Sequence, residues 1–133
     1  MANNGLITLA SQHAVKATID RLDTAAKAKG LTIFARVDHA AGATSVGMPL
    51  RPTELLIFGN ARGGTPLMQL AQTIGIDLPL KALAWEDAAG KTWLSYNDPA
   101  WLAARHGIAE QGAAVAKTLG NVLAALAREA TSA

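Results

Sequence analysis

The chain has 133 residues, a length that suits one domain, since domains most often run to roughly 100–150 residues. Half of the residues are apolar and only 17% are charged, which excludes a disordered chain. No apolar run approaches the roughly 20 residues that span a bilayer, and zero cysteines exclude a disulfide framework, a cysteine nucleophile and thiolate metal sites.

Twelve Lys and Arg against ten Asp and Glu leave a formal charge of +2. The excess is scattered: Lys27 and Lys29 form the densest basic pair, and Arg21, Arg36, Arg51, Arg62, Arg105 and Arg128 stand apart. Nucleic-acid binding needs a basic stripe to neutralise phosphates, usually with aromatics for stacking. With no stripe, and only three Trp, two Phe and one Tyr, no nucleic-acid partner is expected. The opening Met-Ala-Asn-Asn-Gly lacks the basic and apolar regions of a secretory signal. A cytoplasmic protein with no membrane partner is therefore expected.

Gly5 to Ala10 is a short apolar run that fits a first strand. Ser11 stands where an N-cap belongs, and Val15, Ile19, Leu22 and Ala26 follow at helical spacing, giving a helix over about 12–29 that Gly30 stops. From Leu31 to Asp38 the apolar positions alternate, with Leu31, Ile33, Ala35 and Val37 on one face and Phe34 and Arg36 on the other, which reads as a strand. His39 to Pro52 reads as a loop with one helical turn at most. Thr53 to Phe58 is an apolar strand with Glu54 as its one charge. The loop Gly59 to Thr65 then leads into a short helix over about 66–73, capped by Thr65 with Pro66 at its first position.

Asp77-Leu78-Pro79 precedes a strand over Leu80 to Glu86. Asp87-Ala88-Ala89-Gly90 reads as a type I turn closed by a left-handed glycine. That turn sets Asp87 opposite Lys91, Trp85 opposite Trp93 and Ala82 opposite Tyr96. Asp98 as N-cap and Pro99 at the first position start a helix over about 99–106. Gly107 breaks it, and a longer helix runs over about 109–130 with Val115, Leu119, Val122 and Leu126 as its stripe. The order β-α-β-β-α-β-β-α-α predicts an α+β fold, a mainly antiparallel sheet of four or five strands covered by helices. The other face of that sheet should be covered by a second subunit or by the C-terminal helices, so a homodimer is expected.

Ionisable residues collect near predicted strand ends. Asp38 and His39 end a strand and open a loop, where an imidazole beside a carboxylate could act as general base or metal ligand; adjacent strand residues point to opposite faces, so a structural hydrogen bond to the loop competes with that role. Glu86 and Asp87 could do acid–base work, although Asp87 has a sufficient task in bonding turn amides. His106, at a helix end, gains from the helix dipole and could also face the same strand ends. His39, Glu86 and His106 are weak candidates for a metal site, because no close-spaced ligand pair such as His-x-x-x-His is present. Asn60 sits in the glycine-rich loop, which matches no nucleotide-binding spacing and reads as a turn. His13, in the first turn of the first helix, is expected to be exposed and idle.

Several segments together resemble one family: Val37-Asp38-His39-Ala40, Leu56-Ile57-Phe58-Gly59-Asn60, Ile76-Asp77-Leu78-Pro79-Leu80-Lys81, Trp85-Glu86-Asp87 and the strand from Gly90 to Tyr96. In this order they resemble the domain of unknown function 302 family, over about Gly5 to Leu126. Ala61 departs from the proline common after Gly-Asn. The resemblance implies a compact α+β domain, usually dimeric, among small bacterial proteins with no established activity. It also implies that Asp38, His39, Asn60, Asp77, Glu86, Asp87, Tyr96 and His106 are polar motif positions, either a shared pocket or a buried polar network.

Three readings follow. The first is a dimeric module binding a small molecule in a polar His/carboxylate pocket formed by Asp38, His39, Asn60, Glu86, Asp87, Tyr96 and His106. The second is a hydrolase- or isomerase-type enzyme with a histidine–carboxylate acid/base pair. The third is a structural or interaction dimer without a small-molecule site. No cofactor is indicated by the sequence.

Overall fold

The structure is a computed structural model that describes residues 4–133. Its strands are β1 (Leu6–Ala10), β2 (Thr32–Asp38), β3 (Thr53–Gly59), β4 (Leu80–Glu86) and β5 (Thr92–Asn97). The helices are α1 (Val15–Ala28), α2 (His39–Ser45), α3 (Ala61–Leu70), α4 (Pro99–Arg105) and α5 (Ala113–Thr131), with a 3-10 segment over Gln72–Ile76. The strands form one sheet in the order β1-β5-β4-β3-β2, every neighbouring pair antiparallel. The expected α+β class, strand count and sense are all present.

The hairpin forms as its turn chemistry dictates. Gly90 takes φ +80, its amide bonds the Asp87 carbonyl at 3.0 Å, and the Asp87 amide bonds the Lys91 carbonyl at 2.9 Å. The register pairs Trp85 with Trp93 and Ala82 with Tyr96. Side chains alternate across the pleat, so the two tryptophans share one face and Tyr96 lies on the other.

Leu56, Phe58, Ala82, Ala84, Leu94 and Tyr96 form the face that meets α1 and α5, whose Ile19, Leu22, Leu123 and Leu126 complete the core. A second cluster joins α3, the 3-10 segment, α4 and the first half of α5 through Leu67, Ile74, Leu102 and Ala116, with Leu78 and Leu119 touching both clusters. Because α5 lies beside α1 on the same face, neither helix covers the face that carries Leu55, Ile57, Leu83, Trp85 and Trp93.

Several local expectations are corrected. α1 starts at Val15, capped by no side chain, while the Ser11 hydroxyl bonds Thr18 Oγ1 at 2.7 Å and accepts from the His13 amide. His13 precedes the helix and is engaged, with Nε2 2.7 Å from the Ser132 carbonyl oxygen. β2 carries a register shift between Ile33 and Ala35, which breaks the simple alternation. Ile33 and Arg36 therefore share the helix-covered face, and Ala35 and Val37 the other. The loop after β2 begins with a true helix, α2, because the Asp38 carboxylate caps it by accepting from the Ala41 amide at 2.9 Å. α3 starts five residues before the expected position, with Asn60 rather than Thr65 as its cap and Pro66 inside it. α5 begins only at Ala113, four residues later than its pattern indicated.

Candidate functional site

The seven residues expected to line one pocket fall into separate groups. Asp38 and His39 leave the end of β2, and Glu86 and Asp87 leave the end of β4; Asp38 pairs with Glu54, which pairs with Ala84. Those four share one end of the sheet. Asn60 follows the opposite end of β3, and His106 is held by Asp77, just before β4. The seven residues of β3 put about 20 Å between the two ends, too far for one small-molecule hollow. The metal grouping of His39, Glu86 and His106 is split in the same way. Among the described residues, no three His, Asp or Glu side chains come together in a set that could hold an ion.

Most of these side chains have local partners that explain them. Asp38 caps α2, and His39 is the exposed first residue of that helix. Asp87 Oδ1 accepts from the Ala89 and Lys91 amides at 2.9 and 3.0 Å, and Oδ2 from Trp93 Nε1 at 2.8 Å. The Trp93 hydrogen bond first, then those amides, hold the Asp87 carboxyl below its usual range. Glu86 is half-buried, and its backbone carbonyl accepts from Arg51 Nε at 3.3 Å. Asn60 is not a left-handed turn residue: it is extended, at φ −155, and Oδ1 accepts from the Gly63 amide at 2.7 Å.

His106 is the C-cap of α4. Its Nε2 lies 2.6 Å from Asp77 Oδ2 and its Nδ1 2.9 Å from Thr73 Oγ1. An ionised carboxylate only accepts, so Nε2 carries the hydrogen, and on the neutral ring Nδ1 accepts from the threonine hydroxyl. This is the connectivity of a hydroxyl, base and orienting acid. Arg105 Nη1 also bonds both Asp77 oxygens, at 2.9 and 3.0 Å, drawing charge from the orienting group. None of the three lines any of the principal hollows. The set clamps the 3-10 segment to the end of α4.

Lys81, on β4, donates to the Asp77 and Pro79 carbonyls at 3.2 and 2.9 Å, and burial pushes its ammonium pKa down while Asp77 opposes that shift. Tyr96 is pushed up by burial and by Asp98, with Arg128 acting against both.

The hollow that sequence reasoning missed lies where β2, β3 and β4 end beneath α3 and α5. It has a volume of about 380 Å³, with Leu31, Phe34, Met68, Leu78, Leu119 and Val122 among its walls and Asn60 at the rim. Its glycine-rich side comes from the loop and first turn after β3. A Cβ on Gly63 would meet Asn60 Oδ1 and Leu119 Cδ2, each at 3.2 Å. The glycines thus let α3 approach α5 while leaving the space open. The only advance signal was that run of glycines, since the apolar walls come from four separated stretches: the start of β2, α3, the residues that lead into β4, and α5.

Comparison with known proteins places this geometry. The sequence profile of the family described as "Domain of unknown function DUF302" matches residues 7–126. The chain belongs to that family. A solved structure of an uncharacterised conserved DUF302 protein from Bacillus stearothermophilus superposes with a TM-score of 0.83, covering 96% of this chain and 99% of that one at 18% identity. That likeness concerns the fold. Two Brucella proteins are 57% identical over 106 residues, 80% of this chain: "Fluoride-specific ion channel FluC 1" of Brucella suis biovar 1 (strain 1330), of which the match covers 42%, and the protein of the same name in Brucella abortus biovar 1 (strain 9-941), of which it covers 39%. The chain therefore spans less than half the length of these relatives. Among the described residues of this DUF302 chain, no helix is long and apolar enough to cross a membrane.

Proposed function

We propose that this DUF302 chain is a small-molecule-binding module whose site is the apolar hollow between α3, α5 and the ends of β2–β4. The observation that carries the reading is the hollow itself: at about 380 Å³ it falls within the range of ligand pockets, and its carbon-rich walls with few polar groups match their usual chemistry. The ligand class is a compact apolar molecule with one hydrogen-bonding end. The Asn60 amide nitrogen, not used in capping α3, stands at the rim to receive it. A ligand that binds only the folded state raises the unfolding midpoint by mass action. Medium-chain alcohols and carboxylates should do so for the native chain and not for Thr118→Trp, which fills the hollow from its exposed rim. An unchanged midpoint with every member of the series defeats the proposal.

The module acts as a homodimer in this reading, its open sheet face packed on a second copy. What supports this is the composition of that face: Leu55, Ile57, Leu83, Trp85 and Trp93, with Leu6 53% and Val37 38% exposed toward its edges, Lys81 within it, and the Lys91 ammonium 4.6 Å from the Trp93 ring at the hairpin end. Sedimentation should give a dimer at micromolar concentration, and Leu83→Lys a monomer. A native chain that sediments as a monomer removes the claim.

A second reading rests on the Brucella relatives, in which a region like this one accompanies a longer remainder under the name of a fluoride-specific ion channel. This chain would then serve beside a membrane channel. Co-purification of the tagged chain with the detergent-solubilised remainder of such a relative tests it, and absence of a complex at micromolar concentrations counts against it.

A further inference from the structure

A second hollow, distinct from the apolar one, lies where the β1–β5 edge of the sheet meets α4 and α5. Its volume is about 390 Å³, and half of its lining residues are alanine or glycine, with Tyr96, Asp98, Lys117 and Asn121 as the polar groups. Small residues alone would only mark two helices in close approach. Tyr96 makes the difference. It is 7% exposed, yet its hydroxyl bonds no other group among the described residues and is not sealed from solvent. Burying a phenol is tolerated when its hydroxyl finds a partner, so this side chain presents an unspent donor and acceptor to the hollow it lines.

The surrounding charges define what would meet it. Asp98 Oδ1 accepts from the Ala100 amide at 3.0 Å in capping α4, which leaves Oδ2 for another partner. Burial first and then the nearby Asp98 raise the pKa of the phenol, and Arg128 acts against both. Lys117 and Asn121 sit one turn apart on α5 and therefore on one face. Neither side chain has an ion pair or hydrogen bond among the described residues. A carboxylate with one oxygen to spare, an ammonium without a partner among the described residues, an amide and a phenol thus border one space.

We infer that this hollow is a binding site for a small zwitterion of the amino-acid class, its ammonium directed to Asp98, its carboxylate to Lys117 and Asn121, and Tyr96 bonding either group. The site is independent of the apolar hollow. Neutral or singly charged molecules of equal size leave one of the two charges unanswered and bind less well.

The chain contains one tyrosine, so the ring resonances of Tyr96 report directly on this space. Titration with glycine, beta-alanine and gamma-aminobutyrate spans a range of charge separations, with butylamine and butyrate as controls. The expected result is a saturable shift of the Tyr96 resonances with at least one zwitterion and none with the controls. Tyr96→Phe, followed through backbone amides of α5, should weaken binding about tenfold, the value of one hydrogen bond. Asp98→Asn keeps a capping side chain and removes the charge; it and Lys117→Met should each abolish the preference for the zwitterion. Absence of a saturable shift with all three probes, or equal binding of butyrate, overturns the inference. So does unchanged affinity in the three folded variants.

Discussion

Removing the Arg36 guanidinium should destabilise the protein by about 3 kcal/mol. The β2 irregularity turns Arg36 onto the helix-covered face, where its Nε bonds the Glu54 carboxylate on β3, Nη1 lies 2.7 Å from Asp20 on α1, and Nη2 reaches the Lys16 carbonyl at 3.4 Å. The hydrogen bond to Glu54 first, and then that to Asp20, raise the Arg36 pKa against the effect of burial. Glu54 has only 10% of its side chain exposed and Arg36 27%, whereas Asp20 has 54%. Breaking a buried pair by deleting one partner costs about 3–5 kcal/mol, because the other charge stays buried and unanswered. Partial exposure of Arg36 places Arg36→Met at about 3 kcal/mol, the low end of that range. The loss lowers the urea midpoint by about 1.5 M at a slope of about 2 kcal/mol per molar. Asp20→Asn, which removes an exposed partner, should cost less than about 1 kcal/mol. Arg36→Met/Glu54→Leu should recover to within about 1 kcal/mol of the native chain, since replacing a buried pair by apolar groups is often neutral. Urea unfolding followed by tryptophan fluorescence reads all four proteins. A single variant that loses less than about 1 kcal/mol, or a double variant no better than the single, would refute the claim that Glu54 depends on Arg36.

Gly5→Ala is expected to cost at least about 2 kcal/mol, combining left-handed strain with overpacking: Gly5 has φ +79, and a Cβ there would lie 2.4 Å from Trp101 Cδ2. Thermal unfolding measures it, and a midpoint within error of the native chain would contradict it. Asp87 has a lowered pKa, so its contribution is complete above the unfolded carboxylate value of about 3.9 and disappears as pH falls through the folded value. The Trp93 indole N–H resonance should move in that acid range; if Asp87→Asn shows the same movement, the assignment fails. His106→Gln or Asp77→Asn should speed amide exchange across Gln72–Ile76 and Pro99–Arg105, because the clamp between these segments is cut. Unchanged protection in both would show that apolar packing alone holds them together.

The hairpin and its register were legible because a four-residue turn fixes pairing locally, and a tryptophan on each strand then had nowhere else to meet. β2 was not legible in the same way. One irregularity at Phe34 transfers Arg36 to the opposite face, and nothing in the local alternation of Leu31 to Asp38 distinguishes a bulged strand from a regular one. The start of α3 was missed for another reason. Thr65-Pro66 is a good helix opening on local chemistry, but Asn60 caps first. Pro66 is then accommodated six positions into the helix, where it leaves one backbone carbonyl without its usual donor.

The polar residues that attracted attention in the sequence are informative about boundaries rather than about a pocket. Asp38, Asn60 and Asp98 each cap the helix that follows a strand, and Asp87 closes the hairpin. In a sheet of antiparallel strands, such boundaries alternate between two ends separated by the strand length, so side chains chosen for lying near strand ends divide into two sets before any tertiary contact forms. The same geometry explains where a hollow can open. Apolar walls gather at the ends of β2–β4 because α3 leaves the sheet there through a glycine-rich first turn and α5 passes above it. Its lining runs from Leu31 to Val122 and has no period within any one element. A ligand site of that kind emerges only when the helices are placed. Tyr96 differs from those four: it neither caps a helix nor closes a turn, and although the residue is 7% exposed it lines open space. A polar group with no structural task among its neighbours is the residue to which a binding role attaches most directly.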